Sequence, residues 1–539
     1  MNPTRIFAWY ESAIGRDALA YLLACEQDIR EGIPQEGIQL SKTQISTVEN
    51  LAQLTAATLS NESKISEAHN LVRGWLIQFT ADGISNAREI HNNSKGITQE
   101  AEAPREPTAA AVHEVALDTY CAFLLPSNHP GIPTQIINPF ASISMSQHPR
   151  RQEFIDFAMQ DAKLARVFTG PDEPFGRSMS YLSNVGFGGA LQLDLLLETI
   201  LQRAWLIESC RVSPEAFAIA SVEQFRMVRS TLQKSECPSI ATFHLTGALL
   251  PTGSKVEIAG GTLRETTESE RRNSPFPPRG EISGSDETGQ HVVVNYDGDI
   301  TLEIPFKYRH KVLTGRDGDH RKWMEENSSF AEAQRTVTRI RFALLLATNR
   351  NHRVQIIPTA QSFDIPPSSM PYIAWLDVKP RGMMPTQLTD GEVSNWSSWY
   401  EKLNSAGVDH IELAMRRTLR ALSERTDPTD VLIDSVIAWE NIFGTPEGEP
   451  TFRITMCLSS LLKKDPAERA KLQSTLSDIY NLRSQIVHGN KDLKPAEVPF
   501  CHQALDVAIE AIRKLVEERP DILSLSDGSK RSKKLLLGN

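Results

Sequence analysis

Residues 465–489 read DPAERAKLQSTLSDIYNLRSQIVHG, and their spacing decides how the C-terminal part of the chain folds. Asp465-Pro466 is a helix start. The aspartate can cap orphan N–H groups, and proline sits at the first helical position, where no backbone donor is needed. Leu472, Leu476 and Ile479 then step by four and three, the spacing of one buried helical seam. Gly489 suits the left-handed position that closes a helix, so the expected element is Pro466–Val487 with His488 in its last turn. The next two members of the seam are Arg483 and Ile486. An arginine therefore stands where the period asks for an apolar residue. A guanidinium there is at least partly desolvated, and removing one partner of a buried pair costs roughly 3–5 kcal/mol. Such conflicts between pattern and residue type concentrate at functional sites.

Around this helix, apolar periodicity predicts further helices near Asp409–Ser423, Thr429–Phe443, Thr451–Leu462 and Pro499–Glu518. Their connections are short, so consecutive helices should pack antiparallel, as a bundle over 405–522. Upstream, Ala241–Leu250, Val256–Leu263, His291–Tyr296 and Ile300–Phe306 are short, rich in β-branched residues and bounded by Gly, Pro or Asp. They predict an antiparallel sheet, β-rich over about 240–310, with Arg264–Gln290 as a long mobile loop. A helix at Ala331–Ala347 and strands near Val354–Ile357 and Tyr372–Asp377 complete a mixed α/β region over 110–400, with a sensor or regulatory role as its expectation. Residues 1–103 read as helical; one expected apolar stripe is Leu71, Trp75, Leu76 and Phe79. The Gly186, Gly188, Gly189 stretch reads as a turn leading into a helix at Leu191–Ile207. Residues 523–539 carry Lys530, Arg531, Lys533 and Lys534 and read as a basic flexible tail. The fold class is α+β, multidomain and predominantly α.

The totals narrow the function. With 57 basic and 67 acidic residues the formal charge of the 539-residue chain is −10, which argues against a constitutive nucleic-acid coat protein and confines any RNA contact to a small site. No apolar run approaches the ~18 residues of a membrane span. The start, MNPTRIFAWYESAIGRD, lacks the layout of a secretory signal. Six scattered cysteines without a C-x-x-C pair argue for reduced thiols, and the expected location is cytoplasmic.

His488 lies five residues beyond Arg483. The negative end of the helix dipole favours a cation at that end, and imidazole is the side chain that exchanges protons near neutrality. Residues five apart are about 140° apart around a helix, so one copy of this pair is a poor active site. Two copies across a two-fold axis would make a better one. Glu440 falls on a stripe with Ile433, Val436 and Ile437, again a charge on a seam, and is expected to pair with Arg483 and orient it.

The string from Tyr480 to Gly489 (YNLRSQIVHG) resembles the signature of HEPN domains, in particular the ApeA-like HEPN group. Ile437–Gly444, Phe452–Ser459 and Asp465–Glu468 resemble the same group in type and spacing, together covering about a fifth of the chain. The resemblance implies a helical bundle that dimerises and joins two Arg-x4-6-His motifs in one cleft. It implies a metal-independent endoribonuclease of the kind used in abortive-infection or toxin-like defence, with RNA as partner, no cofactor and no metal. Carried over, His488 would handle the proton of the ribose 2′-OH or of the leaving oxygen, and Arg483 would hold the scissile phosphate. Ser484 and Asn490, beside the two motif residues, are supporting candidates. A phage-derived or other trigger is the partner this architecture admits at the N-terminal region.

The structural alternatives stand beside these readings. As plain architecture, Arg483 would be bonded to a buried carboxylate, His488 would cap carbonyls, and Tyr480 and Trp439 would pack in the core. The bundle could also be a non-catalytic module for RNA or nucleotide binding, or for dimerisation. Elsewhere the chemistry is thin. GALLPTGSK (Gly247–Lys255) has the wrong spacing and order for a P-loop, Asp317, Asp319 and His320 form one short loop, and His91, His113 and His410 have no ligand-spaced neighbours.

Overall fold

The structure, a computed structural model, describes residues 3–24, 41–56, 65–95, 103–126, 138–170, 177–186, 188–258, 260–267, 281–285, 291–295, 299–313, 320–348, 353–375, 385–445 and 449–538. Helices α1 (Pro3–Ile14), α2 (Arg16–Leu22), α3 (Lys42–Ala56), α4 (Ile65–Leu76) and α5 (Asn86–Lys95) open the chain. In α4 the buried face is Ala68, Val72 and Leu76, a step of four; Leu71, expected on that face, is 60% exposed. Helix α6 (Pro107–Leu124) is buried on nearly every side: α7 (Pro139–Gln147), α8 (Arg151–Gln160), α10 (Leu196–Trp205) and, most extensively, α11 (Pro214–Lys234) pack on it, while α9 (Ala162–Val167) packs on α8 and α11. Its one buried carboxylate, Asp118, is neutralised on the spot. Arg88 Nη1 lies 3.3 Å away and His148 Nε2 3.2 Å, and the Ser85 N–H donates to it.

Strand β1 (Ser178–Ser183) pairs antiparallel with β2 (Gly188–Gln192), which corrects the expected helix-leading turn at the glycines. Those glycines serve close approach: a Cβ on Gly189 would sit 2.8 Å from the Tyr181 hydroxyl across the pair. Only Leu196–Trp205 of the expected 191–207 helix is α-helical, after a 3-10 turn at Leu193–Leu195.

The central sheet contains β3 (Glu236–Thr246), β5 (Lys255–Ile258), β6 (Gly261–Glu265), β9 (Ile300–Val312), β10 (Ile357–Phe363) and β11 (Tyr372–Trp375), and β1 and β2 extend it. Its order is β11-β10-β3-β9-β1-β2, with β6 on β9 and β5 on β6, all antiparallel. The two-residue strands β4 (Ala248–Leu249) and β12 (Thr386–Gln387) pair with each other, as do β7 (Glu281–Ser285) and β8 (His291–Asn295). The span expected as a mobile loop, Arg264–Gln290, thus holds the end of β6 and all of β7; residues 268–280 and 286–290 lie outside the described residues. Along β3 and β9 every second side chain points inward, placing Ala241, Phe243, Leu245, Leu302, Ile304 and Tyr308 in the core. After α12 (His320–Asn327), helix α13 (Ser329–Ala347) packs on β9 and on α14 (Asp390–Ala406).

The C-terminal helices are α15 (Glu412–Ser423), α16 (Pro428–Phe443), α17 (Pro450–Leu462), α18 (Pro466–Val487) and α19 (Val498–Glu518), followed by the short α20 (Pro520–Leu523) and by α21 (Gly528–Leu537). Trp439 of α16 is fully buried, and its indole N–H donates to the Ala504 carbonyl of α19. Asp434, 1% exposed, is gripped by Arg417 Nη1 at 2.6 Å and Arg425 Nε at 2.7 Å, which ties α15 and its exit loop to α16.

Two corrections to the expected organisation follow. First, the hydrophobic cores do not divide at 103–110 or at 400–405. One core runs from Tyr10 to Leu232; the other runs from Val185 to Leu523 and joins the sheet, α13, α14 and the bundle. Arg341 of α13 crosses this junction, donating to the carbonyl of Ile356 and to Ser423. Second, 523–539 is not a flexible tail over its described residues. Arg531 is 1% exposed and donates to the carbonyls of Asn441, Ile442 and Leu525; Ser532 donates to Phe443. A basic run counted as solvated is, at this residue, a cap for the last-turn carbonyls of α16. Among the described residues no helix is long and apolar enough to cross a membrane.

Candidate functional site

Helix α18 carries the motif. Asp465 accepts from the Glu468 N–H at 2.9 Å and starts it. Its end is a Schellman turn: the Asn490 N–H donates to Gln485 O and the Gly489 N–H to Ile486 O, both at 2.9 Å, with Gly489 at φ +69°. His488 is the cap residue of this turn, exposed, with its own N–H on the Ser484 carbonyl at 3.1 Å. The turn fixes where the imidazole leaves the helix, and glycine permits it because the left-handed backbone after His488 disfavours a side chain.

The seam of α18 is buried at Leu476 and Ile479 and opens at Arg483, whose side chain is 20% exposed. Glu440 faces it from α16, on the half-exposed flank that also holds Ile433 and Ile437. Arg483 Nη2 lies 3.6 Å from Glu440 Oε2, which is an ion pair but longer than a hydrogen bond. The other oxygen, Oε1, accepts the Tyr480 hydroxyl at 2.8 Å. Burial, together with the bonded Glu440 carboxylate, pushes the Tyr480 phenol up to about 12. Arg483 Nε is buried and finds no hydrogen-bond partner among the described residues. The guanidinium therefore reaches this surface with most of its donors uncommitted.

Comparison with known protein families, with curated proteins and with solved structures returns no match for this chain.

The structure thus brings Glu440 and Arg483 together and sets Ser484 and His488 on the turns that follow. Asn490 is exposed, with its backbone N–H closing the Schellman turn. Of the residues expected in the core, Trp439 is there, whereas Tyr480 has its ring buried and its hydroxyl in the site. Periodicity hides such a residue: a tyrosine on a seam looks apolar until its hydroxyl finds a carboxylate on the facing helix. Phe452 and Val487, 57% and 48% exposed, add apolar surface on α17 and at the end of α18.

The remaining sequence candidates go elsewhere. Gly247–Lys255 holds β4 and a turn closed by Ser254 N–H on Pro251 O, with no helix after it to present a phosphate cradle. His320 starts α12, while Asp317 and Asp319 lie outside the described residues. His91 and His113 are buried among the N-terminal helices.

Proposed function

We propose that this chain is a metal-independent endoribonuclease effector whose C-terminal helices form a HEPN-type bundle. The observation that carries the reading is the pairing of an under-committed guanidinium, Arg483, with an exposed imidazole, His488, at the end of one helix. Arginine presents a planar fork of donors that matches phosphate oxygens. Held beside the scissile phosphate, the Arg483 donors stabilise charge as it grows on the non-bridging oxygens. The His488 imidazole takes the proton of the ribose 2′-OH or delivers one to the leaving 5′-oxygen. The 2′-oxygen attacks phosphorus, the bond to the 5′-oxygen breaks, and a cyclic phosphate remains. That nucleophile restricts the reaction to RNA.

One bundle offers one such pair, so the working site is a dimer of two α18 ends around one linkage, within reach of the exposed Phe452 and Val487. The chain before the bundle restrains the nuclease to a basal rate that a trigger, phage-derived or other, raises. The shared core between sheet and bundle supports this, because a shift of the sheet cannot leave the bundle unaffected. Activity of this kind suits abortive-infection or toxin-like defence. A DNA oligonucleotide carrying a single ribonucleotide tests the chemistry. Cleavage confined to the 3′ side of that ribonucleotide is expected; cutting of the all-DNA strand would refute 2′-OH attack.

A further inference from the structure

The carboxylate of Glu440 is turned away from the guanidinium it neutralises. A carboxylate facing an arginine freely settles into two parallel bonds of about 2.8 Å. Here only Oε2 approaches, at 3.6 Å, and the Arg483 Nε beside it stays unpartnered. The other oxygen is held 2.8 Å from the Tyr480 hydroxyl. Tyr480 and Arg483 are three residues apart, so they stand on the same face of α18 one turn from each other. The tyrosine ring is fixed, being 8% exposed, and its hydroxyl cannot follow the carboxylate if that swings.

We propose that Tyr480 is a positioning residue that holds one oxygen of Glu440 and so keeps the donor fork of Arg483 open for a phosphate of the RNA backbone. Glu440 supplies enough negative charge to keep the guanidinium in place, and Tyr480 stops it from becoming the competing ligand. The assignment rests on the nuclease reading for its substrate but not for its geometry. The raised Tyr480 phenol fits the same arrangement, since its neutral form is the donor.

Tyr480→Phe removes only the hydroxyl. Oε1 is then released, the carboxylate closes on Arg483, and the incoming phosphate must displace it. KM for RNA rises by a factor of about ten, the worth of one charge-assisted hydrogen bond, with kcat little changed. Adding Glu440→Gln to Tyr480→Phe brings KM back toward wild type, because a neutral amide is a weak competitor for the guanidinium. A purely structural role for Tyr480 gives the opposite pattern, with the second substitution deepening the defect.

Binding of a 2′-O-methyl RNA oligonucleotide, which cannot be cleaved, is measured in parallel on the same full-length variants. A wild-type chain that binds this oligonucleotide but cuts no RNA refutes the nuclease reading, and the Kd series then decides the role of Tyr480 alone. Weaker binding in Tyr480→Phe, restored in the double variant, supports the inference. An unchanged KM and Kd in Tyr480→Phe, no rescue in the double variant, or no oligonucleotide binding by the wild type overturns it.

Discussion

Replacing Arg531 with methionine removes a guanidinium that is 1% exposed and donates to three main-chain carbonyls, those of Ile442 and Leu525 at 2.7 Å and of Asn441 at 2.8 Å. Two of these carbonyls belong to the last turn of α16, directly after Glu440. Methionine fills most of the volume and adapts to it, so the lost packing is small and the lost donors dominate. At the low end of about 1–3 kcal/mol for each buried carbonyl left without a partner, with about 1 kcal/mol for the helix dipole, the loss is about 4 kcal/mol. Burial pushes the Arg531 pKa down, which shows that the cation is held at some desolvation cost. Methionine returns part of that cost, leaving a net loss of about 3 kcal/mol. Hydrogen–deuterium exchange over 438–444 and 528–537 reads this locally. Exchange through local opening should speed up roughly a hundredfold in Arg531→Met and less in Arg531→Lys, which keeps one donor group. Exchange in 528–537 unchanged to within about threefold would refute the claim that Arg531 fastens the last helix to α16.

Three further outcomes follow from the same physics. Asp434→Asn leaves Arg417 and Arg425 without their shared carboxylate and should lower stability to unfolding by about 3 kcal/mol, read by urea titration. His310, buried on β9 with neither ring nitrogen bonded among the described residues, is pushed down to about 4 by burial. Its neutral form therefore favours the folded state at pH above its ordinary ~6.5, and that contribution, about 3 kcal/mol, is lost as pH falls toward 4; His310→Phe should flatten the acid limb of a stability–pH curve, and an unchanged limb would remove His310 as its cause. Arg483→Ala and Glu440→Gln should lose less cleavage rate together than the sum of their separate losses. Additive losses would take their pair out of the mechanism, while its effect on stability stays below ~1 kcal/mol because both side chains are partly solvated.

Helix ends in the C-terminal part were legible because their signals are local. Asp427-Pro428 and Asp465-Pro466 start α16 and α18, and Gly489 stops α18, each through atoms within a few residues. The pairing of Arg483 with Glu440 was legible for a different reason: two charges on two seams need each other. What depended on distant atoms was not legible. Gly188 and Gly189 look like a turn until Tyr181 is seen packed over them. Arg531 looks solvated until the end of α16 is placed beneath it. Helix α11, Pro214–Lys234, carries the same local signals, a Ser213 cap with Pro214 at the first helical position and Lys234 in the last turn, and was missing from the expected elements all the same. The single core under the sheet and the bundle has no sequence signal, since apolar periodicity says that a face is buried and not against what.

The most direct measurement is incubation of the purified full-length chain with single-stranded RNA in EDTA, followed by analysis of the fragment ends. Termini of 2′,3′-cyclic phosphate and 5′-hydroxyl are expected from the wild type, and none from His488→Ala or Arg483→Ala. RNA left intact by the wild type, or cut equally well by both variants, would contradict the proposed function.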